Sequence, residues 1–184
     1  MATLTIDKSK KWTVEDYMLL DEDLRCEIID SELIMTPAPN TKHQRISKSL
    51  FLKIIDLVKE SGELFYAPID VCFDKENVFQ PDLVFVKKER LNIIQEKGII
   101  GAPDLIVEII SPSNSYIDRY VKKTKYAQFG VKEYWIADPG NKTLEVYKLA
   151  EGSDYQLFLF LAEEGEVKSS LLEGLTFELS DIFK

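Results

Sequence analysis

A mixed α/β or α+β sandwich is the fold class this sequence predicts, on three observations. Short apolar, β-branched segments dominate the chain. Two long helical patterns lie between them. No internal repeat, low-complexity tract or linker interrupts the run. The 184 residues suit one domain, 1–184, large enough for a real core.

Thr13-Val14-Glu15-Asp16 reads as a short helix start, with Thr13 as cap and acids in the first turn. Two strands follow, Cys26–Ile29 and Leu33–Met35, turning at Asp30-Ser31-Glu32 and stopped by Pro37 and Pro39. Asn40 or Thr41 opens the strongest helix. Ile46, Leu50, Ile54, Leu57 and Val58 recur in it at helical spacing, and Gly62 ends the run. Leu64 to Phe73 supplies one or two strands and Pro81 to Val86 another. Asp104 to Ile110 is a β-branched strand broken by Ser111-Pro112-Ser113, which caps a second helix from Tyr116 to Phe129 that stops at Gly130. Lys132–Ala137, Thr143–Leu149 and Tyr155–Leu161 are strands, the last two a hairpin, and Ser180 caps a closing turn.

Bulk properties narrow the function. Hydrophobic residues make up 45% and charged residues 30%, as in soluble globular proteins. No apolar run approaches the roughly 20 residues that span a bilayer, so no membrane association is expected. The start, Met1 to Lys8, lacks the basic head and apolar middle of a secretory signal. Cys26 and Cys72 suit free thiols in a reducing, cytoplasmic compartment and have no zinc-ligand spacing. A net charge of −9 argues against coating nucleic acid by bulk electrostatics but leaves room for a local basic groove. Two basic series stand out: Arg119, Lys122, Lys123 and Lys125, and Lys42, Arg45, Lys48 and Lys53. The alternative reading of both is a pair of solvated helix faces.

Two proline-aspartate pairs carry the chemistry. Gln80-Pro81-Asp82 opens one apolar strand, and Pro103-Asp104 opens another that contains Glu108. Carboxylates are costly to bury unless something cationic neutralises them. If these strands are neighbours, Asp82 and Glu108 can converge on one Mg²⁺, a hard ion that takes one or two carboxylates plus waters and substrate phosphate. Such an ion activates water and stabilises charge developing on phosphorus. Asp104 shares a strand face with Glu108 but lies roughly 13 Å away at the usual strand rise, so it serves backbone or loop positioning instead. On the helix after Glu108, Asp118, Lys122 and Tyr126 share one face, and Lys122 can reach back over the strand end; the plain alternative is an Asp–Lys surface pair. His43, the single histidine, reads more readily as a polar cap or exposed residue than as a phosphate contact. Tyr126, Tyr134 and Trp135 read as packing, and Gln80 as a strand-entry residue or a contact to metal-bound water.

Glu27-Ile28-Ile29-Asp30, Pro37-Ala38-Pro39 with His43, Gln80-Pro81-Asp82, Ala102-Pro103-Asp104 through Glu108, Asp118-x3-Lys122-x3-Tyr126 and Gly130-Val131-Lys132-Glu133-Tyr134-Trp135-Ile136-Ala137-Asp138-Pro139 together resemble the Uma-type restriction endonucleases. The last stretch is the most specific. That family is similar to the PD-(D/E)XK nuclease superfamily, which implies a restriction-endonuclease-like mixed central β-sheet flanked by helices, here with an N-terminal hairpin and a C-terminal β-hairpin. The resemblance implies that Asp82 is the metal-binding Asp and Glu108 the acid of the (D/E)XK element. It implies that Glu27 is an additional acid of the site. Ile110 stands where that element has lysine, and Lys122 is the candidate for a lysine migrated to the next helix. Ser31 stands where the family usually has Gly, which predicts an altered hairpin turn.

The leading expectation is therefore a Mg²⁺-dependent endonuclease, with Mn²⁺ as a substitute ion, acting on DNA through metal-activated water. Cutting both strands with one site per chain favours a homodimer. Two alternatives stay open: a nuclease-fold binding or interaction module weakened in catalysis, and a metal-dependent hydrolase of a small phosphate compound.

Overall fold

A computed structural model describes residues 9–21, 24–111 and 115–184. The readings of the first eight residues and of the helix cap at Pro112-Ser113 fall outside that range. Helix α1, Val14–Tyr17, carries the expected Thr13 cap, and Asp16 completes it into a capping box. Strands β1, Cys26–Ile29, and β2, Glu32–Met35, form the expected hairpin. Its turn is two residues, Asp30 and Ser31, both with positive φ (51° and 65°). The serine thus keeps the left-handed turn that a glycine would favour, contrary to the altered turn expected from Ser31. Its backbone is held from both sides: its N–H donates to Glu76 O and its carbonyl accepts from Trp12 N.

Helix α2, Thr41–Val58, is capped by Asn40, whose side chain accepts from His43 N. Ile46, Leu50, Ile54 and Val58 are buried, while Leu57 is exposed. Gly62 does not end this helix; it opens strand β3, Gly62–Tyr66, where an added Cβ would stand 2.2 Å from Val86 O. Strands β4, Val71–Asp74, β5, Asn77–Phe79, and β6, Leu83–Lys87, follow. After a 3-10 turn come β7, Ile94–Gln95, β8, Gly98–Ile100, and β9, Leu105–Ile109. The second helix departs from a regular α-helix. Ile117–Lys122 is a π-helical turn, and only Lys123–Phe129 is α-helical (α3), ended by left-handed Gly130. Strands β10, Glu133–Asp138, β11, Thr143–Leu149, and β12, Tyr155–Ala162, precede a small hairpin of β13, Glu166–Lys168, and β14, Thr176–Glu178. Ser180 lies inside the closing 3-10 turn rather than at its cap, which is Glu178.

The strands make two six-stranded sheets, ordered β12-β11-β10-β9-β6-β3 and β2-β1-β5-β4-β8-β7. The first is mixed: β9 pairs parallel with β10 and antiparallel with β6. One face of it packs α2 and the C-terminal segment around Leu83, Phe85, Val107 and Trp135. The other face meets α3 and the second sheet around Ile29, Phe79, Ile106, Tyr126 and Tyr134. Burial on both faces explains why β9 reads as continuous hydrophobic sequence, with Glu108 as its one charged residue. Strand β12 is an edge, and Leu157, Phe158 and Phe160 on it are exposed. Both cysteines are free and buried. Among the described residues no helix is long and apolar enough to cross a membrane.

Candidate active site

Alternation along three strands brings the predicted residues to one place. The register Leu83↔Val107, continued by one residue, sets Asp82 opposite Glu108, a pairing with Cα atoms about 5 Å apart. Both point to the face shared with Val84 and Ile106, toward the second sheet. Glu27 alternates with Cys26 and Ile28, so it points the other way from them, back toward the same gap with Ile29. The π-helical turn delivers Asp118 and Lys122 into that gap, both buried.

Lys122 is the centre of the cluster. Its Nζ donates to Glu27 Oε1 at 2.8 Å and Glu108 Oε1 at 3.1 Å, and lies 3.5 Å from Asp118 Oδ1. The surface-pair alternative therefore fails: this lysine is 4% exposed and has three acidic partners. Glu108 Oε1 also accepts from Tyr126 OH at 2.7 Å, and Glu27 Oε1 from Gln80 N at 2.8 Å. Asp82 Oδ2 accepts from Ile109 N at 2.8 Å and lies 3.2 Å from His43 Nε2. His43 is thus neither a cap nor exposed, as the sequence reading favoured; its backbone is capped by Asn40 while its ring turns into the site. No local signal marks this, because His43 meets Asp82 only through packing of α2 on the sheet.

Electrostatics follow from burial. Desolvation raises the Glu108 carboxyl well above its ordinary value, against the opposing pull of Lys122. Desolvation likewise pushes Asp118 up to about 6. Burial works against charge on Lys122, but Glu108, Glu27 and Asp118 outweigh it and hold the ammonium firmly protonated. Burial pulls His43 down, yet its bond to Asp82 prevails and its pKa is raised.

These groups line a cleft of about 660 Å³ whose walls also include Arg25, Lys42 and Asn141. Asp82 Oδ1 and Glu108 Oε2 have no bonded partner among the described residues, and Gln80 Oε1 is buried without one. Hard oxygen donors of this kind fit Mg²⁺ or Mn²⁺. Among the described residues no group of three or more His, Cys, Asp or Glu side chains is arranged as a metal cage. The fit is thus to an ion that shares its shell with water and substrate. Asp104 stays out of the cluster: its carboxylate accepts from Lys87 N and Arg90 Nη1, both at 2.9 Å, and so ties down the loop after β6. A second buried acid, Glu133, also lies outside it. It binds Trp135 Nε1, the amides of Ser170 and Leu171, and the hydroxyls of Ser169 and Ser170, anchoring the C-terminal segment.

Known proteins share this architecture. A crystal structure described as a putative nuclease belonging to DUF820, from Anabaena variabilis, superposes with a TM-score of 0.77 at 23% identity, covering 93% of this chain and 97% of that one. An uncharacterised protein of Synechocystis is 21% identical over 175 residues, 92% of this chain and 99% of its own. The profile of one family, Uma2, described as "Putative restriction endonuclease", matches residues 14–180. Spanning nearly the whole sequence, that match means that the chain belongs to the Uma2 family.

Proposed function

We propose that this protein is a divalent-metal-dependent endonuclease that hydrolyses phosphodiester bonds in DNA, with Asp82 and Glu108 as the metal ligands. The observation that carries the reading is the facing pair of carboxylates, each with an oxygen that has no partner among the described residues, beside a buried lysine at the end of β9. A bound Mg²⁺ or Mn²⁺ would supply a nucleophilic water and neutralise charge on the transferring phosphoryl group. The protein's own groups do the rest. Glu27 and Asp118 hold Lys122 in place, and Lys122 with Tyr126 fixes the Glu108 carboxylate. The Ile109 amide and His43 do the same for Asp82. In this reading Lys122 orients the attacking water or meets charge on the phosphate. Arg25 and Lys42 at the cleft wall offer cations to flanking phosphates. Family membership supports a nuclease-type activity, and restriction-endonuclease-like nucleases generally use divalent metals. A two-fold homodimer would bring two such sites to the two strands of a duplex.

Asp82→Asn and Glu108→Gln are expected to abolish Mg²⁺-dependent nicking of supercoiled plasmid while leaving the thermal melt cooperative. Undiminished nicking by both variants would overturn the assignment. A second reading, a nuclease fold kept as a binding module, is favoured by the same lysine: Lys122 already neutralises the acids from within. Calorimetric titration separates the two, since no heat with millimolar Mg²⁺ or Mn²⁺ is the module's signature.

A further inference from the structure

The helix that delivers Asp118 and Lys122 to the cleft carries a second set of side chains on its outer flank. Tyr116 and Tyr120 are 70% and 63% exposed, among the most exposed large hydrophobic side chains described. Their rings lie 5.3 Å apart, tilted by 31°. Neither ring contributes to a buried cluster, so packing does not account for them. Lone exposed aromatics are common; a mutually aligned pair at one helical turn is a preformed apolar shelf with an open face.

Its surroundings identify what the shelf fits. The segment 119–132 contains no acid, and it presents Arg119 and Lys123 on the same flank as the tyrosines. Lys123 Nζ lies 3.7 Å from the centre of the Tyr147 ring, which extends the aromatic and cationic strip onto β11. Arg119 is held by two carboxylates, Asp138, itself part of the cleft wall, and Glu145 on β11, so it ties the strip to the cleft with its charge already met. Ser115, next to Tyr116, lines the cleft as well. The strip is therefore continuous with the mouth of the site. Exposed rings with Lys123 beside a phosphate-handling cleft match unpaired nucleobases on a phosphate backbone: the rings take base faces, which a duplex hides in its stack, and Lys123 takes a phosphate.

We infer that Tyr116 and Tyr120 form a base-stacking platform, and that the nucleic acid this site engages has a single-stranded stretch at the cleft mouth. This deepens the nuclease reading and rests on it for the location of the scissile bond; the platform itself is tested by binding alone.

The test uses the full chain carrying Asp82→Asn, with fluorescence anisotropy on three oligonucleotides: a single strand, a blunt duplex and a duplex with a single-stranded tail. The single-stranded and tailed oligonucleotides are expected to bind more tightly than the blunt duplex. Tyr116→Ala should weaken them roughly tenfold, Tyr120→Ala likewise, with little change for the blunt duplex. Tyr116→Phe should restore binding, because stacking needs the ring and not the hydroxyl. Unchanged single-strand affinity in the double alanine variant, with a wild-type melt, overturns the platform. So does sedimentation showing that the alanines split a dimer while DNA binding stays constant, for then a second copy of the chain occupies the strip. Plasmid nicking by the protein without the Asp82 change keeps the two readings apart. Nicking with tyrosine-indifferent binding removes only the platform. Tyrosine-dependent binding without metal-dependent nicking removes only the nuclease. No affinity for any of the three oligonucleotides removes the platform as well.

Discussion

Lys122→Met places the energetics of the cluster under direct test. Lys122 Nζ serves Glu27, Glu108 and Asp118 at 2.8, 3.1 and 3.5 Å, and every partner is buried. Methionine keeps most of the apolar stem and removes only the charge, leaving three buried carboxyls without a cation. Breaking a buried pair in this way costs about 3–5 kcal/mol. Against a urea dependence of about 2 kcal/mol per molar, that moves the unfolding midpoint down by roughly 2 M. The sign with pH is opposite to that of a surface salt bridge. Even with the lysine present, Asp118 is pushed from 3.8 to about 6. A carboxyl that binds its proton more tightly when folded makes the fold less stable as pH rises through that window. Removing Lys122 takes away its counter-pull on Glu108 and Asp118 and lifts both further, so the variant's deficit should be largest at pH 8 and shrink toward pH 4 as these two take up protons. Urea titrations of both proteins at pH 8, 6 and 4.5 measure it. A deficit that is flat with pH, or greatest at pH 4.5, would refute the idea that Lys122 is the internal counterion of the cluster.

Glu133→Ala removes the acceptor of Trp135 Nε1, two amides and two hydroxyls. It should cost about 3 kcal/mol or more and speed amide exchange first around Ser169–Leu172, measured by mass spectrometry. Gly62→Ala should lower stability by about 2–3 kcal/mol, because the new Cβ meets Val86 O at 2.2 Å within paired β-strands. Gly130→Ala meets nothing within 4 Å and only strains a φ of 88°, so about 1 kcal/mol is expected in the same melts. Asp104→Asn should leave any metal-dependent nicking within about twofold while lowering the melting temperature, since Asp104 binds Arg90 and Lys87 N and not the cleft.

The elements that could be read in advance are those whose signal is local. The cap at Thr13, the apolar stripe of α2, the stop at Gly130 and the β11–β12 hairpin each lie within a few residues of sequence. Strands β5, β7 and β8 escaped because two or three residues carry no usable period, and their pairings are long-range or depend on a turn. The convergence of Asp82 and Glu108 follows from strand spacing once their strands are neighbours, as β6 and β9 are. Glu27 came only from family resemblance, since nothing near residue 27 predicts that its sheet folds back over β9. The inward ring of His43 and the anchoring role of Glu133 have no local signal for the same reason: each is set by partners far along the chain. The π-helical turn also had no sequence signal, although it is what turns Asp118 and Lys122 inward together.

Strand β12 leaves an eight-residue sheet edge carrying Leu157, Phe158 and Phe160 in the open. Such an edge is a template for aggregation unless something guards it. The guard here is electrostatic. Asp154 precedes the strand and Glu163 and Glu164 follow it. Symmetric antiparallel pairing of two copies would set each Asp154 against the other copy's Glu163, so like charges meet at both ends of this exposed apolar edge. That repulsion is screened by salt, so added salt should weaken the guard and favour edge-to-edge association in concentrated solution.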